Sequence, residues 1–507
     1  METLRRRPPL PYETAMNKPI ADHHPYALDL AAFRDLGRRT VDLAADYLEQ
    51  LDSRPAVNVV PDDERRLLMG IALPDEGMQA HDMLAFLEQH VMPWPLPASH
   101  RRSYGWICSP SAPIAILADT IATTMNTGLD GYDHASLFLM QGLGRWFMEL
   151  AGFPVDGNSL AVLFSGGSAA NLNALTTALH SAARADGWNI REEGLQGSGR
   201  PPFTVYASEE VHSSVQKCCE QLGLGRRSLR IVPADDRFRL RPDALRALVE
   251  SDRAAGMRPF CVVGVAGTTN VGAIDPLDTM ADIAGEYGLW FHVDGAYGAL
   301  GILDPAYADQ YRGMERADTL TLDPHKWLHT PVDCGALLMR DRNAHREAFS
   351  LVPDYLSESG PDSAPWPSEH MFQLTYANRA LKTWAAIGRL GRNGVVELVT
   401  RCNRLAAYLA DRVERSPDLE MLAPCSLSVV NFRYVPTDEG MDDAALDALN
   451  RHISDAVAAS GEAHMPTTKV RGRTALRACV LHYANTEEDM DHLVDLVRRL
   501  GREAVGR

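Results

Sequence analysis

Gly288-Leu289-Trp290-Phe291-His292-Val293-Asp294-Gly295-Ala296-Tyr297 passes from a glycine through an apolar run into an aspartate followed at once by small residues. Such a run, bounded by turn residues, reads as a buried strand, and ligand sites in open α/β sheets lie just beyond the carboxyl ends of their strands. Asp294 therefore stands where an acid can meet a ligand. The plainer reading of the same residue is a helix or turn cap before Gly295. A second segment, Asp323-Pro324-His325-Lys326-Trp327, places a lysine 32 residues after Asp294. A lysine beside a tryptophan is usually solvated surface, so neither residue argues strongly alone.

Together they pair an amine that can condense with an aldehyde with an acid that can keep a pyridine nitrogen protonated. This is the pair that pyridoxal phosphate (PLP) needs from a protein. The surrounding pattern agrees. Ala161-Val162-Leu163-Phe164, Phe203-Thr204-Val205-Tyr206, Leu229-Arg230-Ile231-Val232, Cys261-Val262-Val263-Gly264-Val265 and Leu289 to Val293 are short apolar runs, each followed by turn residues and a helix-like stretch. Strands alternating with helices predict a mainly parallel sheet covered on both faces.

Three further segments fall at predicted strand ends. Ser165-Gly166-Gly167-Ser168-Ala169-Ala170-Asn171-Leu172 leads from a strand into a helix, where glycines let backbone amides approach an anion. It lacks the lysine of a nucleotide-triphosphate loop. His212 follows the strand Phe203 to Tyr206, and Gly267-Thr268-Thr269-Asn270 follows the strand at Cys261 to Val265. Taken singly, these are an ordinary glycine turn, a structural histidine and a turn threonine.

At these residues the chain resembles the PLP-dependent group II amino-acid decarboxylases, which include aromatic-amino-acid, glutamate, histidine and diaminobutyrate decarboxylases. The resemblance runs from about Leu28 to Leu500 and is densest between Ser165 and Cys334. It implies the type I fold of PLP-dependent transferases: a mainly parallel seven-stranded sheet covered by helices, an N-terminal helical segment and a small C-terminal α+β domain. The implied divisions are 1–108 for a helical segment lying on a partner subunit, 109–385 for the PLP-binding domain and 386–507 for the small domain.

By the same resemblance, Lys326 is the Schiff-base lysine, Asp294 partners the pyridine nitrogen, and His212 and Ala296 cover the two ring faces. His212 would also donate to the substrate carboxylate or relay a proton. Gly167 and Ser168 match the phosphate turn, Thr269 the pocket wall, and His325 a further cofactor contact. Asp323 stands where many relatives carry asparagine, a less favourable charge beside a phosphate. Trp106 and Ser109 are candidates for the substrate side. The expected partners are an amino acid and a second copy of the chain, forming a homodimer with the active site at its interface.

The implied reaction is decarboxylation of an L-amino acid to an amine and CO₂. Tyr104, Trp106 and Ile107 suit an aromatic or apolar side chain if they border the pocket, and are core packing if they do not. Arg101 and Arg102 could pair with an acidic substrate or be solvated surface. The chain departs from its relatives at Met140, where glutamate is frequent, at Arg379, which survives alone from an arginine pair, and in the loop within Tyr355 to Phe372. There Pro367 or His370 falls near the position of a tyrosine whose loss diverts some homologues to oxygen-dependent aldehyde formation. That outcome is the alternative reading. A catalytically silent scaffold is a third, against which Lys326, Asp294 and His212 all weigh.

Composition narrows the field. With 50 basic and 67 acidic residues the net charge is −17, which disfavours nucleic acid because phosphate binding needs concentrated positive charge. The 8 cysteines are dispersed without CxxC spacing, as expected of reduced, buried thiols in the cytoplasm. No apolar run reaches membrane-spanning length and the N-terminus lacks a signal-peptide core.

Overall fold

The computed structural model describes residues 29–128, 130, 132–197, 199–351, 364–437 and 440–506. Two compact units are present. The first runs to Arg54 and resumes over Asn58–Pro95. Its helix Leu30–Glu49 starts at Asp29, whose carboxylate accepts the amide of Ala31 and so satisfies a donor left free at any helix start. Helices Asp62–Met69 and Ala80–Phe86 follow, and Arg39 reaches Glu88 at 3.0 Å.

The second unit, Pro55–Val57 with Leu96–Arg507, contains both sheets. Its large sheet is built from β1 (Leu160–Phe164), β2 (Phe203–Ser208), β3 (Leu229–Val232), β4 (Arg258–Val265), β5 (Trp290–Asp294), β6 (Thr319–Leu322) and β7 (Gly335–Met339). They lie in the order β1-β7-β6-β5-β4-β2-β3. The neighbours from β3 to β6 pair in parallel, whereas β7 is antiparallel to both β6 and β1. The sheet is thus mixed, with one reversed strand. The reversal has a local cause. A parallel return requires a long crossover, usually a helix, and the connection from Asp323 to Cys334 contains none.

That connection is the lysine segment. It is fixed by Trp327, which is 1% exposed and whose ring centroid lies 5.1 Å from that of Tyr297. Buried tryptophan carries a large apolar surface, so Trp327 anchors the segment and holds Lys326 away from the solvated surface that a lysine in this dipeptide usually occupies.

The small sheet is antiparallel, in the order β10-β11-β9-β8, from β8 (Leu419–Met421), β9 (Val429–Tyr434), β10 (Thr467–Val470) and β11 (Arg473–Cys479). The helical stretch Arg379–Glu414 precedes it and bends at Gly391, where φ is 63° and ψ 174°. Helix Glu487–Val505 closes the chain. Its start is a capping box, with Thr486 and Asp489 each bonding the other's backbone amide. Among the described residues no helix is long and apolar enough to cross a membrane.

Three buried histidines make the fold acid-sensitive. Burial lowers His292, His329 and His370 to about 4, so each is neutral when folded but takes up a proton near 6.5 when unfolded. Unfolding then gains protons as pH falls from 6.5 towards 4, and stability declines by at most about 1.4 kcal/mol per pH unit per histidine. Asp275, raised by burial to about 7, acts in the opposite sense, as do Asp318 and Glu210, which burial also raises, while buried His345, held well below the ordinary range, adds to the histidine effect. Urea unfolding at pH 7, 6 and 5 should show a falling midpoint; a midpoint that holds constant or rises would contradict this balance.

Candidate active site

The carboxyl ends of β1, β2, β4, β5 and β6 converge on a cavity of about 310 Å³. Gly167, Ser168, His212, Thr269, Asp294, Ala296, Asp323, His325 and Lys326 all line it. These come from five separate segments, so their meeting is a product of the sheet order.

Helix Gly167–Ala185 begins at the cavity, and no side chain caps its N-terminus. Its free amides and the positive end of its dipole suit an anion. Gly167 is required by close packing. A Cβ there would lie 2.9 Å from the Cβ of Ala296 and 3.1 Å from Oδ2 of Asp323.

Asp294, 5% exposed, ends β5. Its Oδ2 accepts from Nδ2 of Asn171 at 2.8 Å and its Oδ1 from the amide of Ala296 at 3.1 Å. A buried carboxylate is tolerated when it is hydrogen-bonded in this way. His212 caps helix Ser213–Gln221, its Nδ1 accepting the Ser214 amide at 3.2 Å.

Lys326 Nζ lies 3.1 Å from Oδ2 of Asp323. The other Asp323 oxygen, Oδ1, is buried without a hydrogen-bond partner. His325 Nδ1 accepts the Cys334 amide at 3.2 Å, and burial lowers its imidazole despite the opposing charge of Asp323. Tyr297 also lines the cavity; its hydroxyl pairs with Ser428 Oγ at 2.6 Å, and burial pushes its phenol well above the ordinary range.

The remaining candidates lie elsewhere. Trp106 is exposed, packs 4.9 Å from the His464 ring and is not among the cavity residues. Ser109 Oγ donates to the carbonyl of His325 at 3.1 Å, behind the lysine segment and also outside the cavity lining. Tyr104 and Ile107 are buried in the core. Arg101 and Arg102 both pair with Asp489, at 3.5 and 3.0 Å. Both are partly exposed and committed to Asp489, not lining the cavity where an acidic substrate would sit. Met140 is buried beside Leu137 and Leu143, and Arg379 holds Asp333 at 2.9 Å. In the loop, His370 is buried and its carbonyl accepts from Asn173, Pro367 is buried, and Tyr355 lies outside the described residues.

Two residues that sequence reasoning gave no role belong to the site. Asn171 lies one helical turn beyond Gly167 on the same face, a spacing that could have marked it. Arg477, on β11, is 6% exposed and spends its guanidinium on backbone carbonyls, those of Trp106 at 2.8 Å, Asn270 at 3.2 Å and Thr269. It thereby fixes the Thr269 wall from behind, a contact that no local sequence signal announces.

These features fit PLP: an uncapped helix N-terminus for the phosphate, a packed glycine and alanine for the ring face, a buried acid and a lysine. Asp323 is the mismatch, a carboxylate packed against Gly167 and paired with Lys326.

Comparison with known proteins agrees. Residues 61–435 match the family model described as the pyridoxal-dependent decarboxylase conserved domain. The aromatic-L-amino-acid decarboxylase of Bacillus atrophaeus is 29% identical over 484 residues, covering 94% of this chain and 97% of that protein. The phenylacetaldehyde synthase of Arabidopsis thaliana is 27% identical over 477 residues, covering 91% and 94%. The solved structure of Oryza sativa TDC with PLP and tryptamine shares the fold, with a TM-score of 0.87 at 24% identity, over 95% of this chain and 99% of that one. The chain belongs to the pyridoxal-dependent decarboxylase family and is a PLP-dependent enzyme of the amino-acid decarboxylase class.

Proposed function

We propose that this enzyme removes the carboxyl group of an L-amino acid with an aromatic side chain, giving the amine and CO₂, and that Lys326, Asp294 and His212 carry the chemistry. The observation that supports this most is their convergence, from three segments, on one cavity beside an uncapped helix start. The aromatic preference leans on the aromatic-amino-acid decarboxylase among the relatives.

When bound, PLP supplies an electron-accepting ring on which the carboxyl group can be lost. The protein's part is positional and electrostatic. Lys326 would provide the amine that tethers the cofactor. Asp294, fixed by Asn171 and the Ala296 amide, would hold the pyridine nitrogen and favour its protonated form. His212 and Ala296 would hold the two faces of the ring, the Gly167 and Ser168 amides would hold the phosphate, and Thr269 and His325 would complete the walls. With its Nδ1 occupied, His212 presents its other ring nitrogen to substrate and can deliver a proton there.

A second reading is favoured by the phenylacetaldehyde synthase relative and by the loop, where the resemblance puts Pro367 or His370, both buried, near the position of a tyrosine, with Tyr355 or a partner residue the alternative source of one. On that reading oxygen is consumed and an aldehyde is formed.

Among the described residues an apolar stripe is uncovered. Ile114, Leu117, Ile121 and Met125 are all exposed on helix Pro113–Met125, at spacings that place them on one face. We infer that a second copy covers it, making a homodimer.

One product assay tests the chemistry. The loaded enzyme, supplied with aromatic and other amino acids with and without oxygen, should yield an amine equally in both; an aldehyde formed only in air would establish the second reading. Lys326→Ala should lose turnover and the absorption of lysine-bound PLP, while Asp294→Ala should lower kcat far more than it raises KM. Parent-like turnover in either variant would remove that residue from the site. Sedimentation equilibrium checks the assembly: Leu117→Asp with Ile121→Asp should convert a dimer to monomer, and a monomeric parent would refute it.

A further inference from the structure

The hydrogen bonds around Asp294 can be given directions, because one member admits only one. An ionised carboxylate only accepts, so the amide edge of Asn171 at Asp294 Oδ2 must be Nδ2. The opposite edge is then the carbonyl, which accepts the Thr321 hydroxyl at 2.7 Å and faces His292 Nε2 at 3.0 Å. Burial keeps the His292 ring neutral, and its one proton must sit on Nε2 to meet that carbonyl. Its bare Nδ1 accepts the Thr319 hydroxyl at 2.9 Å, and Thr319 in turn accepts the Trp290 indole at 3.0 Å.

The second Nδ2 hydrogen of Asn171 goes to Ser214 Oγ at 3.1 Å. Ser214 therefore has its own proton to give, and His212 Nδ1 lies 2.9 Å away. That nitrogen also accepts the Ser214 backbone amide. It is thus an acceptor twice over, and the proton of a neutral His212 ring is confined to Nε2. Among the described residues, Nε2 of His212 has no hydrogen-bond partner.

We infer that Asn171 and Ser214 are positioning residues which, through one directed chain of hydrogen bonds, hold Asp294 as an acceptor and present the Nε2 hydrogen of His212 to the cavity. The inference rests on the roles proposed above for Asp294 and His212. It adds that the two are set by one amide: Asn171 cannot turn over without opposing its carbonyl to a carboxylate. The chain has two limbs, and they separate by experiment. The Asp294 limb ends where the cofactor is held, and the Ser214 limb ends at the imidazole facing substrate.

The test uses PLP itself as probe, titrated into the unloaded protein by quenching of tryptophan fluorescence, alongside steady-state kinetics of the loaded enzyme. Ser214→Ala should leave the Kd for PLP and the KM for substrate within about threefold, and reduce kcat about tenfold or more, the usual scale of one lost hydrogen bond to a reacting group. Ser214→Thr, which keeps the hydroxyl, should restore kcat to within about threefold of the parent. Asn171→Leu should weaken PLP about tenfold as well as lowering kcat, because it cuts both limbs.

A residue that merely packs would not give the Ser214→Ala split or its rescue by threonine. Parent-like kcat in Ser214→Ala overturns the proposal, as does an unchanged Kd for PLP in a folded Asn171→Leu. Should Asn171→Leu fail to fold by circular dichroism, the serine pair decides alone. If Asp294→Ala collapses turnover while Ser214→Ala is silent, the site stands and only the relay falls; if Asp294→Ala is also silent, the site assignment itself has failed.

Discussion

Asp294 is a carboxylate buried at the end of a central strand, and the cost of keeping a charge there organises much of what surrounds it. Moving an unpaired carboxylate out of water costs several kcal/mol even after relaxation, so the strand end requires committed donors. The Ala296 amide comes from the turn that follows, and Asn171 reaches across from the helix after β1. Asn171 must itself be satisfied, which recruits Thr321 from β6 and His292 from β5. One buried charge thus binds together two adjacent strands, β5 and β6, and a helix.

The lysine is placed by a different constraint. Because the link from β6 to β7 contains no helix, β7 returns antiparallel, and the link folds across the strand ends where the cavity lies. Trp327 buried against Tyr297 fixes it there. Tyr297 is in turn bonded to Ser428 just before β9, and Arg477 on β11 grips the Trp106 and Thr269 carbonyls. The small sheet therefore braces the site although its side chains are not among those lining the cavity.

The strands seen in the sequence are those whose apolar residues form unbroken runs, such as Cys261 to Val265. β6, Thr319-Leu320-Thr321-Leu322, escaped because it alternates threonine with leucine, and both threonines are buried for polar duty to His292 and Asn171. β7, Gly335 to Met339, is apolar, but it follows the lysine segment without a helix between them. It therefore stands outside the alternation of strands and helices that marks the others. The pairing of Arg101 and Arg102 with Asp489 was equally hidden, since the partners stand nearly four hundred residues apart.

By itself the sequence determined the chemistry on offer: an amine, an acid, an imidazole and a glycine turn, each at the end of an apolar run. These follow from residue identity and local periodicity, which are properties of short segments. Only the tertiary structure decided which of them share a cavity, that Trp106 and Ser109 stand outside its lining, and that Asn171 joins Asp294 to the helix His212 caps. Hydrogen bonds have a direction and a reach of about 3 Å. Whether a given donor meets a given acceptor depends on strand order, which no short segment contains.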